Sequence, residues 1–196
     1  MDFDLGVVGT SWGGLTAFGR LVSGLPPDFA LPLVLVQHRG RDGESILERL
    51  LQEQTSLAVC EVSDKQPVEP GHIYLAPADY HLLVERGHFA LTTDAATRYS
   101  RPSIDVTFES AADSYRERLV GVVLTGANED GARGLRRVVD RGGFALIQDP
   151  ATAEAPTMPA AALRAVPSAR VVPLTDIASQ LIALSRGGAA TSGGAA

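Results

Sequence analysis

Residues 6–15 read GVVGTSWGGL, an apolar run followed at once by a glycine-rich turn. The residues after it, GGLTAFGRLVSGL, carry apolar side chains at helical spacing and stop at Pro26-Pro27. Strand, turn and helix in that order predict one βα unit. The rhythm repeats along the chain. ALPLVLVQH and LVGVVLTG are almost wholly apolar, as strands covered on both faces are. GESILERLLQEQT, SIDVTFESAADSYRERL (opened by Ser103 as N-cap), DGARGLRRVVDRGG, MPAAALRAV and IASQLIALSR read as helices, and LAVCEV, GHIYLAP, FALIQDP and RVVPL as strands. Strands alternating with helices predict an α/β fold, a doubly wound and mainly parallel sheet with helices on both faces. The stretch HLLVERGHFALTT breaks the rhythm and predicts one antiparallel hairpin turning at Arg86-Gly87. One domain over residues 1–186 and a disordered Gly/Ala-rich tail over 187–196 are expected.

The 196 residues suit one domain. No apolar run approaches the ~20 residues of a membrane span, so no membrane insertion is expected. The start Met1-Asp2-Phe3-Asp4 lacks the basic, apolar character of a signal peptide, which points to the cytoplasm. The single cysteine, Cys60, excludes an internal disulfide and a cysteine-built zinc site, and its apolar surroundings suit a small packed residue. A net charge of −6 argues against general nucleic-acid binding.

In doubly wound sheets ligands bind beyond the carboxyl ends of strands, which directs attention to residues 9–14, 37–39 and 125–131. The first of these fits neither Gly-x-Gly-x-x-Gly nor a Walker loop, which disfavours nucleotide binding. It does fit Gly-x-Ser-x-Gly at Gly9-Thr10-Ser11-Trp12-Gly13. On this stretch alone, Ser11 either presents a nucleophile or caps the helix behind it. A serine nucleophile needs a base, and of the four histidines His38 ends a buried strand on the same edge. His72 and His88 read as surface and hairpin residues, and His81 as a residue near the rim. A base needs an orienting carboxylate, and Glu129 and Asp130 both follow the apolar strand LVGVVLTG. Asp130 reads either as that acid or as a helix cap; Glu129 reads as a solvated charge. A side chain in a strand-end loop is expected to matter more to chemistry than to folding. No histidine follows His88, so the chain order Ser, Asp, His of an α/β-hydrolase is not available. The order Ser11, His38, Asp130 is admissible, because triads are defined by geometry.

The stretches VVGTSWGGL, VLVQH, GHIYLAPADYHLLV, RPSIDVTFESAA, VVLTGANEDGARGL and IQDPATAEAPTMPAAAL, taken together and in this order, resemble the chemotaxis protein-glutamate methylesterases (CheB-type catalytic domains). The resemblance implies Ser11 as nucleophile, His38 as general base and Asp130 as orienting acid. It also implies an oxyanion hole from the backbone N–H groups of Trp12 and Ala127. The implied reaction is hydrolysis of glutamate methyl esters on the cytoplasmic helices of methyl-accepting chemoreceptors, with glutamine deamidation in some members. No metal or organic cofactor is implied. Arg98 and Arg101 would face an acidic receptor surface. Three positions depart from the family pattern: Trp12 where a small residue is frequent, Arg39-Gly40 in place of Met-Pro, and Ala127-Asn128 in place of Met-Gly. These bear on the substrate more than on the chemistry. The family's common N-terminal receiver domain is not part of this sequence: either a separate response regulator supplies regulation or the sequence is a piece of a longer chain. Two rival readings follow: an esterase or amidase with the same triad and a non-receptor substrate, and a non-catalytic adaptor that binds receptors.

Overall fold

The computed structural model describes residues 3–38, 46–97 and 100–187. Nine strands and six α-helices lie within them: β1 (Leu5–Thr10), α1 (Gly14–Ser23), β2 (Leu33–Gln37), α2 (Ile46–Gln52), β3 (Ala58–Glu61), β4 (His72–Leu75), β5 (His81–Glu85), β6 (His88–Thr92), α3 (Ile104–Tyr115), β7 (Leu119–Val123), α4 (Ala132–Asp140), β8 (Phe144–Gln148), α5 (Thr157–Ala165), β9 (Arg170–Val172) and α6 (Ile177–Ser185). Seven strands form one sheet in the order β3-β4-β2-β1-β7-β8-β9, and every pairing in it is parallel. The expected doubly wound fold is the one observed. The antiparallel hairpin is present as a separate two-stranded sheet, β5-β6.

The apolar strands are explained by burial on both faces. Val7, Val34 and Val36 join Ile104, Phe108, Leu135, Val138 and Met158 in one core layer, beneath α3, α4 and α5. Val8, Leu33 and Leu35 join Phe18, Leu21, Val22, Leu51, Ile177 and Leu181 in the other, against α1, α2 and α6. Successive strand residues thus feed opposite layers. The hairpin lacks a third strand, and α3 takes that place. Thr107 Oγ1 donates to the Leu82 carbonyl at 2.9 Å, Ser110 Oγ accepts from the Val84 N–H at 3.0 Å, and Ser114 Oγ donates to the Val84 carbonyl at 2.9 Å. Three hydroxyls at helical spacing therefore satisfy the β5 edge that would otherwise be buried without partners.

Strand β1 is where the winding reverses: α1 leads from it to β2 on one side, and the chain returns through α3 to β7 on the other. Ligand crevices open at such a switch point. Ladder bonds continue past the strand ends there, with Leu124 N donating to the Gly9 carbonyl, Ser11 N to Thr125 and His38 N to Thr10. No described helix is long and apolar enough to cross a membrane.

Candidate active site

The turn after β1 is shaped by two glycines. Gly9 has no room for a Cβ against Ile104 at the start of α3. Gly13, the N-cap residue of α1, sits at φ 78° and takes no side-chain cap, a left-handed conformation that glycine adopts without strain. The capping role that Ser11 was a candidate for is therefore not filled by Ser11. Its hydroxyl makes no hydrogen bond to a described residue and lines a cleft of about 390 Å³ with Trp12, Gly13, Gly14, Leu15, Thr16, Gln37, His38 and Glu154. Trp12 is 66% exposed at the mouth of that cleft. Its peptide is pinned from behind, since Thr125 Oγ1 donates to the Trp12 carbonyl at 3.0 Å. Thr125 in turn accepts from Ala155 N at 2.9 Å and donates its own N–H to Gln148 Oε1 at 2.9 Å.

His38 follows β2 and is 12% exposed; its Nε2 lies 2.7 Å from Asp130 Oδ2. Asp130 is fully buried. Its Oδ2 also accepts from Ile104 N at 2.7 Å, and its Oδ1 accepts from Asp105 N at 3.0 Å, Ser103 Oγ at 3.1 Å and Gly131 N at 3.1 Å. The carboxylate thus sits on the N-terminus of α3, where unpaired N–H groups and the helix dipole favour an anion. Burial pushes the Asp130 carboxyl up, but the His38 ring N–H, the Asp105 and Ile104 N–H groups and the His38 charge outweigh it and hold it below the ordinary carboxylate value. The cap reading of Asp130 survives in altered form: it caps α3, not the helix that follows it in sequence. The expectation that a strand-end side chain would matter little to folding is corrected by this burial and these five bonds. Glu129, the other acid considered, points away and pairs with Arg164 at 3.2 Å.

Helices α3 and α4 exchange carboxylates. Asp105, on the first turn of α3, accepts from Gly131 N at 2.9 Å and Gly134 N at 2.7 Å at the start of α4. Its Oδ2 is buried with no hydrogen-bond partner, and Arg133 Nε lies 3.7 Å away. Burial raises the Asp105 carboxyl above its ordinary value; the Gly134 N–H opposes this, and the Asp130 charge adds to it. Asp105 went unrecognised in the sequence, although a signal was there. It shares an i, i+3, i+7 face with Phe108 and Ala112, both fully buried, so an acid on that face had to be buried too.

Asn128 is the other residue not anticipated as a partner of the site. Its Oδ1 accepts from Asp130 N at 3.0 Å and its Nδ2 lies 3.2 Å from His38 Nδ1. Ala127 is exposed in the same loop. Arg101 does not line the cleft. Its guanidinium pairs with Asp79 at 2.6 Å and donates to the carbonyls of Thr93 and Asp94, which makes it a clasp between Asp79 and residues 93–94. Arg98, Arg39 and Gly40 lie outside the described residues, as does the tail beyond Gly187. His81 is buried rather than at a rim, with Nδ1 against Ser103 N and Nε2 against the Ala95 carbonyl. His72 and His88 pair with Glu69 and Glu85 beside them. Cys60 is partly buried, and burial raises its thiol.

The family profile described as CheB methylesterase matches residues 6–181. A relative from Leptospira interrogans is 40% identical over 185 residues, covering 94% of this chain and 96% of its own. The protein-glutamate methylesterase/protein-glutamine glutaminase 1 of Burkholderia lata is 38% identical over 180 residues, and the match takes in 91% of this chain but 54% of that longer protein. The crystal structure of the Thermotoga maritima CheB methylesterase catalytic domain superposes with a TM-score of 0.90 at 30% identity, over 94% of this chain and all of that one. By sequence and by fold, the chain belongs to the CheB methylesterase family and corresponds to its catalytic domain.

Proposed function

We propose that this chain is a serine hydrolase that cleaves glutamate methyl esters on chemoreceptor helices, with Ser11 as nucleophile, His38 as base and Asp130 as orienting acid. The observation that carries this reading is the 2.7 Å bond between His38 and buried Asp130, with His38 lining one cleft together with a serine hydroxyl that has no hydrogen bond to a described residue. Asp130 accepts from every other neighbour, so it takes the proton-bearing nitrogen of the ring and fixes Nε2–H. Nδ1 then carries the lone pair that removes the Ser11 proton as Oγ attacks the ester carbonyl. The N–H groups of Trp12 and Ala127 would hold the oxyanion. His38 returns the proton to departing methanol, and water, activated by the same nitrogen, releases the free glutamate. The same acyl-enzyme route hydrolyses a primary amide, and relatives named protein-glutamine glutaminase support a deamidase activity beside it. Exposed Trp12 at the cleft mouth favours a second reading, an ester substrate of another shape. Methanol release from methylated receptor fragments, compared with simple methyl esters and with Ser11→Ala, tests the assignment. Release from the receptor fragments that depends on Ser11 is expected; turnover of simple esters alone would favour the second reading, and no Ser11-dependent hydrolysis would favour the adaptor.

A further inference from the structure

The two ring nitrogens of His38 are both engaged, and neither is hydrogen-bonded to Ser11. Nε2 belongs to Asp130 at 2.7 Å and Nδ1 lies 3.2 Å from Asn128 Nδ2. The orientation of the Asn128 amide follows from its neighbours. The Asp130 backbone N–H is a donor, so the atom 3.0 Å from it must be the amide oxygen. The amide nitrogen is thereby turned to His38, and it donates into the Nδ1 lone pair. That lone pair is the one that would accept the Ser11 proton, and it lies in the ring plane with room for one good donor. Meanwhile Ser11 Oγ has no hydrogen bond to any described residue.

We propose that Asn128 is a brake on the catalytic base: its amide occupies the nitrogen through which Ser11 is deprotonated, and attack requires that amide to give way. This rests on the triad reading above. The brake acts on the ground state. Once Nδ1 carries a proton, the amide N–H faces another N–H, so the bond present in the resting form is absent as charge develops. A side chain at position 128 that leaves Nδ1 open should therefore speed attack. Asn128 has a second task, since its oxygen holds the Asp130 backbone in an Asx-type turn, and a useful variant must keep that bond.

Asn128→Ser does so: a serine hydroxyl can accept from the N–H two residues on but is too short to reach the ring. Asn128→Asp keeps the oxygen on Asp130 N and replaces the donor to Nδ1 by an acceptor. The second carboxylate favours the doubly protonated ring, which cannot take a proton. The readout is the rate at which a fluorophosphonate probe labels Ser11 in the full chain. Asn128→Ser should label about two- to tenfold faster than the parent, the factor that matches the net strength of a neutral hydrogen bond. Asn128→Asp should label slower. A merely structural asparagine would make both variants slower. Parental or slower labelling of Asn128→Ser, with the parental unfolding midpoint, overturns the brake. Should that variant lose stability, the ¹⁵N resonance of His38 Nδ1 in Ser11→Ala, where the serine donor is gone, decides: an accepting nitrogen that is still hydrogen-bonded supports the brake, and one with a free lone pair overturns it. No Ser11 labelling in the parent or in Asn128→Ser overturns the triad reading, and the brake with it.

Discussion

In an Asp130→Asn variant the side chain keeps its shape but exchanges one acceptor oxygen for an NH2 group, and all five of its neighbours are donors. If the amide nitrogen takes the Oδ2 position, it meets the Ile104 N–H and the His38 Nε2–H, each 2.7 Å from that atom. If it takes the Oδ1 position, it meets the Asp105 and Gly131 N–H groups, at 3.0 and 3.1 Å, while the Ser103 hydroxyl can turn to accept. In the second arrangement the Asp105 N–H loses its partner while the Gly131 N–H keeps Asp105 Oδ1 at 2.9 Å, and in the first the Ile104 N–H loses its partner while the ring is pushed to the wrong tautomer. At ~1–3 kcal/mol for one orphaned donor in either arrangement, the loss of stability is about 1–3 kcal/mol. The missing charge on the α3 N-terminus adds about 0.3–1 kcal/mol. Activity should fall by about 10²–10⁴, through the tautomer effect that the handling of a serine-protease triad illustrates. Urea unfolding gives the first number and ester hydrolysis under native conditions the second. Glu129→Gln is the matched comparison, because it alters an exposed residue paired with Arg164, and such a pair is worth about 0–1 kcal/mol. An Asp130→Asn protein within about 0.5 kcal/mol of the parent, the range of an inconsequential surface change, would refute the hydrogen-bond accounting. Near-parental activity in Asp130→Asn with a crippled Glu129→Gln would refute the assignment of the acid.

Ser11→Ala, His38→Ala and the double variant should share a similar residual rate of hydrolysis, because the two act as one unit; a far slower double variant would place His38 in another role. Trp12→Thr keeps the backbone N–H while removing a ring that is 66% exposed at the cleft mouth, so rates on bulky acyl groups should rise relative to small ones, and an unchanged ratio would show that the ring does not screen substrates. Asp105 and Asp130 should pull the pH dependence of stability in opposite directions. Asp105 titrates above its ordinary 3.8 when folded, so the native state holds the extra proton just above that value and loses stability as pH rises through the window. Asp130 titrates below 3.8 when folded, so its contribution is present above that value and is lost as pH falls through the lowered one. Asp105→Asn removes the first effect alone, and its stability relative to the parent in urea should improve as pH rises out of the carboxylate range; a difference constant with pH would refute the raised value.

The fold was legible because its signals are local and repeated. Strands such as LVLVQ and LVGVV are apolar at every position but the last or the middle glycine, and the helices between them carry caps and stops. His38 and Asp130 were legible for a related reason: both follow buried strands, and the parallel sheet brings those ends to one edge. The partners of Asp130 were not legible, because Ser103, Ile104 and Asp105 come from the start of α3, and which helix N-terminus lies under which strand end is a matter of three-dimensional packing. Arg101 misled for the opposite reason. An arginine in SRPS looks available until the Thr93 and Asp94 carbonyls and Asp79 close around the guanidinium. Asn128 was seen as a departure from a pattern, but its contact with the ring depends on an amide orientation that only the Asp130 N–H reveals.

The stitching of β1 to β7 fixes the order in which this molecule can be completed during synthesis. Thr10 Oγ1 bonds the Thr125 carbonyl across 115 positions of sequence, and Ser11 N bonds the same atom. Thr125 itself is held by Ala155, a further 30 positions on. At about 5–20 residues per second, a ribosome needs roughly 6–23 seconds to pass from Thr10 to Thr125. Throughout that interval β1, α1 and β2 can pair, but the turn presenting Ser11 has no strand to close on and Asp130 does not yet exist. Serine and histidine, made early, thus wait on the last third of the chain, and closing so long a loop is a slow, non-local step.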